Sequence, residues 1–331
     1  MSGKPQYRAK DKGAVLLTTL LVMSLMATVA VSLFEDLRFA VKRAANVQAY
    51  AQADWYLRGA DDVAQDYLER QLKQIEPSDL NAVLYAVEPI IFPIEGGEIS
   101  MALHDGDKCF SLSALLTSPG RIQFRQLLEA LGWDTLSAAS LTSKAVDWID
   151  AGSQALPDGA EDFTYLAKEP AHRTANTLFT SVSELRAIDG LTEASYQVLK
   201  PYICARPEMA KNSININALS ALHAPVLASV IGNENRMAIA LKLINDRPAA
   251  GYNSVEQLLG APALSDVNSK NIAIETLDFA PNHIWAEVTV SHGDITRRGA
   301  FEYDISSGQP IRIFRRMGLD VRRAKLVEEP T

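Results

Sequence analysis

Asp147, Asp150, Asp158, Glu161 and Asp162 place five carboxylates within 16 residues, inside the stretch VDWIDAGSQALPDGAEDFTYL. Unneutralised, these groups repel one another, and Pro157 and Gly159 permit the sharp turns that would fold them towards a common centre. A hard cation reverses the repulsion: calcium takes about 6–8 oxygens from carboxylates, carbonyls and water in flexible geometry. The spacing is not that of an EF-hand loop, so the residues alone leave two readings open, a calcium site or a solvated acidic loop. Asp147 is the weakest candidate ligand, because its place beside Trp148 also suits a partly buried helix end.

No catalytic constellation accompanies this cluster. The chain contains no G-x-S-x-G, no H-E-x-x-H, no phosphate loop and no C-x-x-C. His104, His172, His223, His283 and His292 are scattered along strands and turns, which predicts a protein that is not an enzyme. The 331 residues carry a formal charge of −8. Lys4, Arg8, Lys10 and Lys12 against Asp11 make the first 13 residues net +3, leaving −11 for the remainder. An acidic body argues against nucleic-acid binding, which needs clustered cations to displace counterions from phosphates.

The elements that hold the acidic stretch begin at the other end of the chain. Ala14 to Phe34 is 21 residues without a charge, about 31 Å as a helix, which matches a bilayer core. Cations precede it, and Glu35 and Asp36 follow, so the N-terminus is expected in the cytoplasm and the body outside. A secretory signal peptide competes, but this apolar run is long for one and its best cleavage site is Thr28-Val29-Ala30. From Glu35 to about Ile75 there is no proline, and Leu57, Ala60, Ala64, Tyr67, Leu68 and Leu72 recur at helical spacing. The reading is one helix of some 60 residues, half in the membrane and half a stalk, stopped at Glu76-Pro77-Ser78.

An internal repeat organises the next part. Phe110-Ser-Leu-Ser-Ala-Leu115 returns as Ile214-Asn-Ile-Asn-Ala-Leu219, Asp150 as Asp246, and Phe179-Thr-Ser-Val-Ser-Glu-Leu185 as Tyr252-Asn-Ser-Val-Glu-Gln-Leu258. The first copy is longer mainly by the acidic stretch, and an insertion of that length needs a stabilising device or a function. Strands flank the repeats. Glu98–His104, Ile284–Val290 and Arg298–Tyr303 alternate, with a hairpin at His292-Gly293-Asp294 and a further strand over 310–314. Cys109 and Cys204, in a body outside the membrane, are expected to form a disulfide stapling the first unit, with separately buried thiols the alternative.

A short basic leader ending in glycine, directly ahead of an apolar helix, resembles the type IV pilin and pseudopilin class. That resemblance implies cleavage by prepilin peptidase between Gly13 and Ala14 and methylation at Ala14. Most of that class has glutamate at mature position five, where this chain has Thr18; such a departure suits the one place with no subunit ahead of it, the tip. The segments CFSLSALL (109–116), VDWIDAGSQALPDGAEDFTYL (146–166), RTANTLFTSVSELRAIDGLTEASYQVLKPYICA (173–205) and ININALSALHAPVLASV (214–230) narrow it further. In order and number they resemble the minor pseudopilin of type II secretion, the general secretion pathway protein K family. That family commonly has asparagines at Ser111 and Ser113, where serine could still cap a turn.

The resemblance implies an α+β fold: a long N-terminal transmembrane and stalk helix, a pilin-like antiparallel sheet, and a large inserted all-α domain of two duplicated helical units. The expected divisions are leader 1–13, transmembrane helix 14–34, stalk 35–76, frame 77–108 and 276–318, and insertion 109–275. The insertion divides into units 109–212 and 213–275, and a loose tail covers 319–331. It further implies Ca2+ in the helical domain, held by Asp150, Asp158, Glu161, Asp162 and, least securely, Asp147. Implied partners are other minor pseudopilins, prepilin peptidase and the inner-membrane platform of the secretion system. The implied location is a single pass through a bacterial inner membrane with a periplasmic head. A second reading comes from Ile188-Asp189-Gly190-Leu191, which looks like a helix-hairpin-helix turn and would make the chain a membrane-anchored DNA-handling protein. Thr192 replaces the second glycine of such a hairpin, and few cations surround the turn.

Overall fold

The computed structural model describes residues 9–75, 79–81, 88–206 and 212–318. The first eight residues of the leader, the Glu76-Pro77-Ser78 stop and the tail 319–331 lie outside the described residues.

Helix α1 runs unbroken from Ala9 to Gln74, so it starts ahead of Gly13 rather than at Ala14. Nothing in the sequence interrupts it: no proline occurs, and a side chain at Gly59 would meet no neighbour within 4 Å. Ala53, Leu57, Ala60, Ala64 and Leu68 are buried at three- and four-residue spacing and form the stripe that packs on the sheet. From Gly13 to Gln52 nearly every residue is exposed, so about 60 Å of helix projects from the head. This is the one helix among the described residues long and apolar enough to cross a membrane.

The sheet has five antiparallel strands: β1 (Ile90–Ile94), β2 (Gly97–Asp105), β7 (His283–His292), β8 (Ile295–Asp304) and β9 (Ile311–Met317), in the order β1-β2-β7-β8-β9. Period-two burial along β2 and β7 puts Ile99, Met101, Ile284, Ala286, Val288 and Val290 on the face that meets α1. Strand β1, absent from the strands expected above, contains Pro93 and lies at the sheet edge, where a missing N–H is tolerated.

Neighbouring strands β2 and β7 are separated in sequence by the whole helical region, which is therefore an insertion into the sheet. It contains α2 (Ser118–Ala130), α3 (Thr135–Ile149), α4 (Asp162–Leu166), α5 (Glu193–Leu199), α6 (Ala224–Ala228), α7 (Arg236–Asn245) and α8 (Val255–Leu259), joined by 3-10 turns. It is not wholly helical. Each unit is closed by a two-residue parallel pair, β3 (Phe110–Ser111) with β4 (Ile203–Cys204) and β5 (Ile214–Asn215) with β6 (Leu277–Asp278).

The repeats correspond in local detail. Asp150 caps the C-terminus of α3 as Asp246 caps that of α7. Glu184 reaches back to the Thr180 and Ser181 amides, and the equivalent Gln257 reaches back to the Asn253 amide. Ser111 departs from the expected cap: its hydroxyl meets Ser113 Oγ at 2.8 Å, whereas the equivalent Asn215 accepts from the Asn217 amide. Both units share one apolar core, distinct from the core between α1 and the sheet.

Candidate functional site

The acidic stretch leaves the C-terminus of α3 and wraps around it. Asp147 in the last turn of α3 is fully buried (0% exposed) and accepts from the amides of Leu156 (3.2 Å) and Ala160 (2.9 Å). The loop backbone comes so close that a Cβ at Gly159 would sit 1.9 Å from Asp147 Oδ2. Asp147 therefore holds the loop against the helix. Burial pushes its carboxyl up, and the nearby Asp150 charge adds to the effect while the two amides oppose it.

Asp150 Oδ1 accepts from the Gly152 amide at 2.8 Å. Asp158 is exposed in a left-handed turn (φ 56°), and its carbonyl accepts from Ser140 Oγ. Asp162 at the start of α4 accepts from the Thr174 amide and hydroxyl, both at 3.0 Å, and from Arg173 at 2.8 Å, contacts that hold its carboxyl below the usual range. Glu161 differs from all of these. It is 7% exposed, its Oε1 is buried without a hydrogen-bond partner, and burial followed by the charges of Asp147 and Asp150 pushes its carboxyl up.

A buried, unpartnered carboxylate oxygen beside two further carboxylates fits a hard cation in charge and donor chemistry. Among the described residues, however, no three His, Cys, Asp or Glu side chains converge as a ready-made metal site. Asp147 and Asp162 are the most heavily engaged in protein contacts, a division of labour the composition of the stretch did not reveal.

Thr18 sits on the exposed part of α1, and its hydroxyl donates to the Val15 carbonyl at 2.9 Å. Its polar group is thus satisfied inside its own helix. Gly13 and Ala14 lie in the same continuous helix, both exposed. Cys109 and Cys204 are joined as a disulfide bracketing the first unit. At the helix-hairpin-helix-like turn, Asp189 pairs with Lys144 at 2.9 Å and Lys168 at 2.7 Å, so both nearby lysines are engaged by a carboxylate.

Sequence reasoning missed a second cluster, where the insertion joins the sheet. Arg206, 1% exposed at the end of the first unit, donates to Glu302 of β8 at 2.8 Å and to the Gly106 carbonyl at 2.6 Å, and lies 3.3 Å from Asp107. Asp107 accepts from His283 Nδ1 at 2.6 Å and from the amides of Asn282 and His283. Burial pushes the Asp107 carboxyl up, but His283 and Arg206 outweigh it and hold it below the usual range. These partners come from four distant parts of the chain, and no local pattern marks them.

Two family models described as type II secretion system, protein K match residues 108–208 and 214–279, the two units of the insertion. Protein K of Pectobacterium carotovorum subsp. carotovorum is 35% identical over 298 residues, covering 87% of this chain and 90% of its own. The chain belongs to the type II secretion system protein K family. The protein K of Klebsiella pneumoniae is 33% identical, with 78% of this chain and 82% of its own covered. A chain in the crystal structure of the GspK-GspI-GspJ complex from the enterotoxigenic Escherichia coli type 2 secretion system superimposes with a TM-score of 0.71. The two are 26% identical, with 84% of this chain and 100% of that one covered. The protein K fold thus accounts for the helix, the sheet and the insertion together.

Proposed function

We propose that this protein K is a non-catalytic minor pseudopilin, cut by prepilin peptidase between Gly13 and Ala14, methylated at Ala14, and placed at the tip of the periplasmic pseudopilus. There it helps initiate assembly and protein export across the outer membrane. The observation that carries this reading is the large helical insertion mounted on a pilin-like helix and sheet: such a head obstructs a subunit added above it. Thr18 supports the same place, since its hydroxyl is satisfied within α1 and asks nothing of a neighbouring subunit, whereas a carboxylate in lipid needs a partner. The apolar half of α1 crosses the inner membrane with its N-terminus in the cytoplasm.

Its partners in this reading are the other two minor pseudopilins, packed against the projecting α1, together with the inner-membrane platform; the similar chain of known structure is in complex with GspI and GspJ. Ca2+ is the proposed structural ion of the loop over 150–162. Glu161, Asp150 and Asp158 would ligate it, with Asp147 and Asp162 holding the loop ends. The bound ion would neutralise the cluster and fix the loop.

Intact mass of the purified protein, from cells with and without prepilin peptidase, tests the reading. A chain starting at methylated Ala14 only when the peptidase is present supports it. An uncut chain in both strains, or one starting at Val31, overturns it.

A further inference from the structure

We propose that the Trp148 indole and the His172 imidazole share one ordered water molecule, and that this buried water clamps the far end of the acidic loop to α3. Trp148 stands beside Asp147 in the last turn of α3 and is 6% exposed. Its indole Nε1 is buried and has no hydrogen-bond partner among the described residues. His172 belongs to the segment that follows α4, where the chain comes back to α3. There the Asn176 amide donates to the Trp148 carbonyl at 3.0 Å, and the His172 amide donates to the Tyr165 carbonyl at 3.3 Å. Three rings meet at this point. The imidazole centroid lies 6.1 Å from the indole and 5.2 Å from the Tyr165 ring, and Tyr165 meets Trp148 edge-on at 5.2 Å. His172 Nε2 is likewise buried without a partner among the described residues.

The chemistry of the two nitrogens selects the molecule that joins them. An indole nitrogen can only donate. His172 Nδ1 lies 3.0 Å from the Pro170 carbonyl, which can only accept, so Nδ1 carries the proton and Nε2 presents a lone pair. One unpartnered atom is thus a donor and the other an acceptor, yet they do not bond to each other. A cation would satisfy the imidazole and be repelled by the indole N–H, and an anion would satisfy the indole alone. Water accepts from the first and donates to the second. Buried polar groups without a protein partner are the ordinary ligands of ordered water.

Two adjacent residues of α3 then hold the whole stretch. Asp147 fastens its first part through the Leu156 and Ala160 amides, and Trp148 fastens its end through the water. The clamp uses none of the five clustered carboxylates, so it is independent of the ion proposed for them.

Nuclear magnetic resonance of the full chain in detergent micelles, isotope-labelled at its four tryptophan indoles, tests this. The Trp148 indole signal is assigned by its loss in Trp148→Phe. A cross-relaxation peak between that indole proton and water is expected, with the sign of a water that tumbles with the protein. Tyr165→Phe removes the hydroxyl of the neighbouring ring, which could relay exchange, and is expected to leave the peak in place. His172→Phe keeps a ring, removes the acceptor and is expected to abolish the peak. Absence of the peak in the wild type, its loss in Tyr165→Phe, or its persistence in His172→Phe overturns the proposal. If His172→Phe does not fold, the wild type and Tyr165→Phe decide.

Discussion

The Tyr303 hydroxyl donates to Asp61 Oδ1 at 2.7 Å and lies 3.1 Å from the Asp61 carbonyl, linking the C-terminal end of β8 to the stalk helix. Asp61 is buried on α1 and also receives Arg312 of β9, so two strands fasten to one carboxylate. Tyr303→Phe keeps the ring and removes the donor, leaving Asp61 its arginine. The expected loss is about 1–2 kcal/mol in urea unfolding followed by tryptophan fluorescence. Asp61→Ala is expected to cost more, because it removes the carboxylate from both Tyr303 and Arg312 and leaves the Tyr303 hydroxyl only the longer bond to the residue-61 carbonyl.

Arg206 supports two buried carboxylates at once. Arg206→Met is expected to cost roughly 3–5 kcal/mol, since it leaves Glu302 and Asp107 without their cation. Adding Glu302→Gln to Arg206→Met should restore part of that loss in the same unfolding measurement. A double variant no more stable than the single one would mean the charge is not the cause.

Cleaving the Cys109–Cys204 bridge opens a loop with a sequence separation of 95 residues. Cys109→Ser with Cys204→Ser is expected to cost about 2–5 kcal/mol. Thermal melts of wild type and double variant, each with and without reductant, check this: reductant should move only the wild type.

The acidic loop should respond to calcium and to pH together. Addition of calcium is expected to raise the melting temperature, chelation to lower it, and Glu161→Gln to remove most of the response. Because the Glu161 carboxyl is pushed up, protons compete with the cation at higher pH than at an ordinary glutamate. Affinity measured by calorimetry should accordingly fall between pH 7 and pH 5, and less so in Glu161→Gln.

Two glycines separate close approach from idle flexibility. Gly159→Ala drives a Cβ into Asp147 and should unseat the loop, destabilising the head and weakening any calcium response. Gly59→Ala meets nothing within 4 Å on α1 and should stabilise the helix by about 0.5–1 kcal/mol. Circular dichroism melts of the two variants should move in opposite directions.

What could be read in advance follows from how local the cause is. The long helix, the alternating strands and the repeated Ser-Val-x-x-Leu turns each arise from residues within a few positions of one another, so spacing alone located them. The five clustered carboxylates were visible for the same reason. Their separate roles were not, since Asp147 owes its place to the Leu156 and Ala160 amides and Asp162 to Thr174. The junction was silent because Asp107, Arg206, His283 and Glu302 converge only once the sheet closes over the insertion. Strand β1 contains Pro93, which a single chain cannot reveal as an edge residue.

The placement of the insertion between adjacent strands governs the order in which the head can form. Joining β2 to β7 encloses 177 residues, from Gly106 to Asn282, where an ordinary hairpin encloses a handful. At about 0.6 kcal/mol for each doubling of loop length, that closure costs roughly 2.5 kcal/mol more than a ten-residue connection. A folded insertion removes the cost by bringing its two ends together, as the Gly106 amide does when it donates to the His283 carbonyl at 2.8 Å. The helical units therefore act as the template on which the sheet is completed, and damage to them delays a sheet whose own residues are intact.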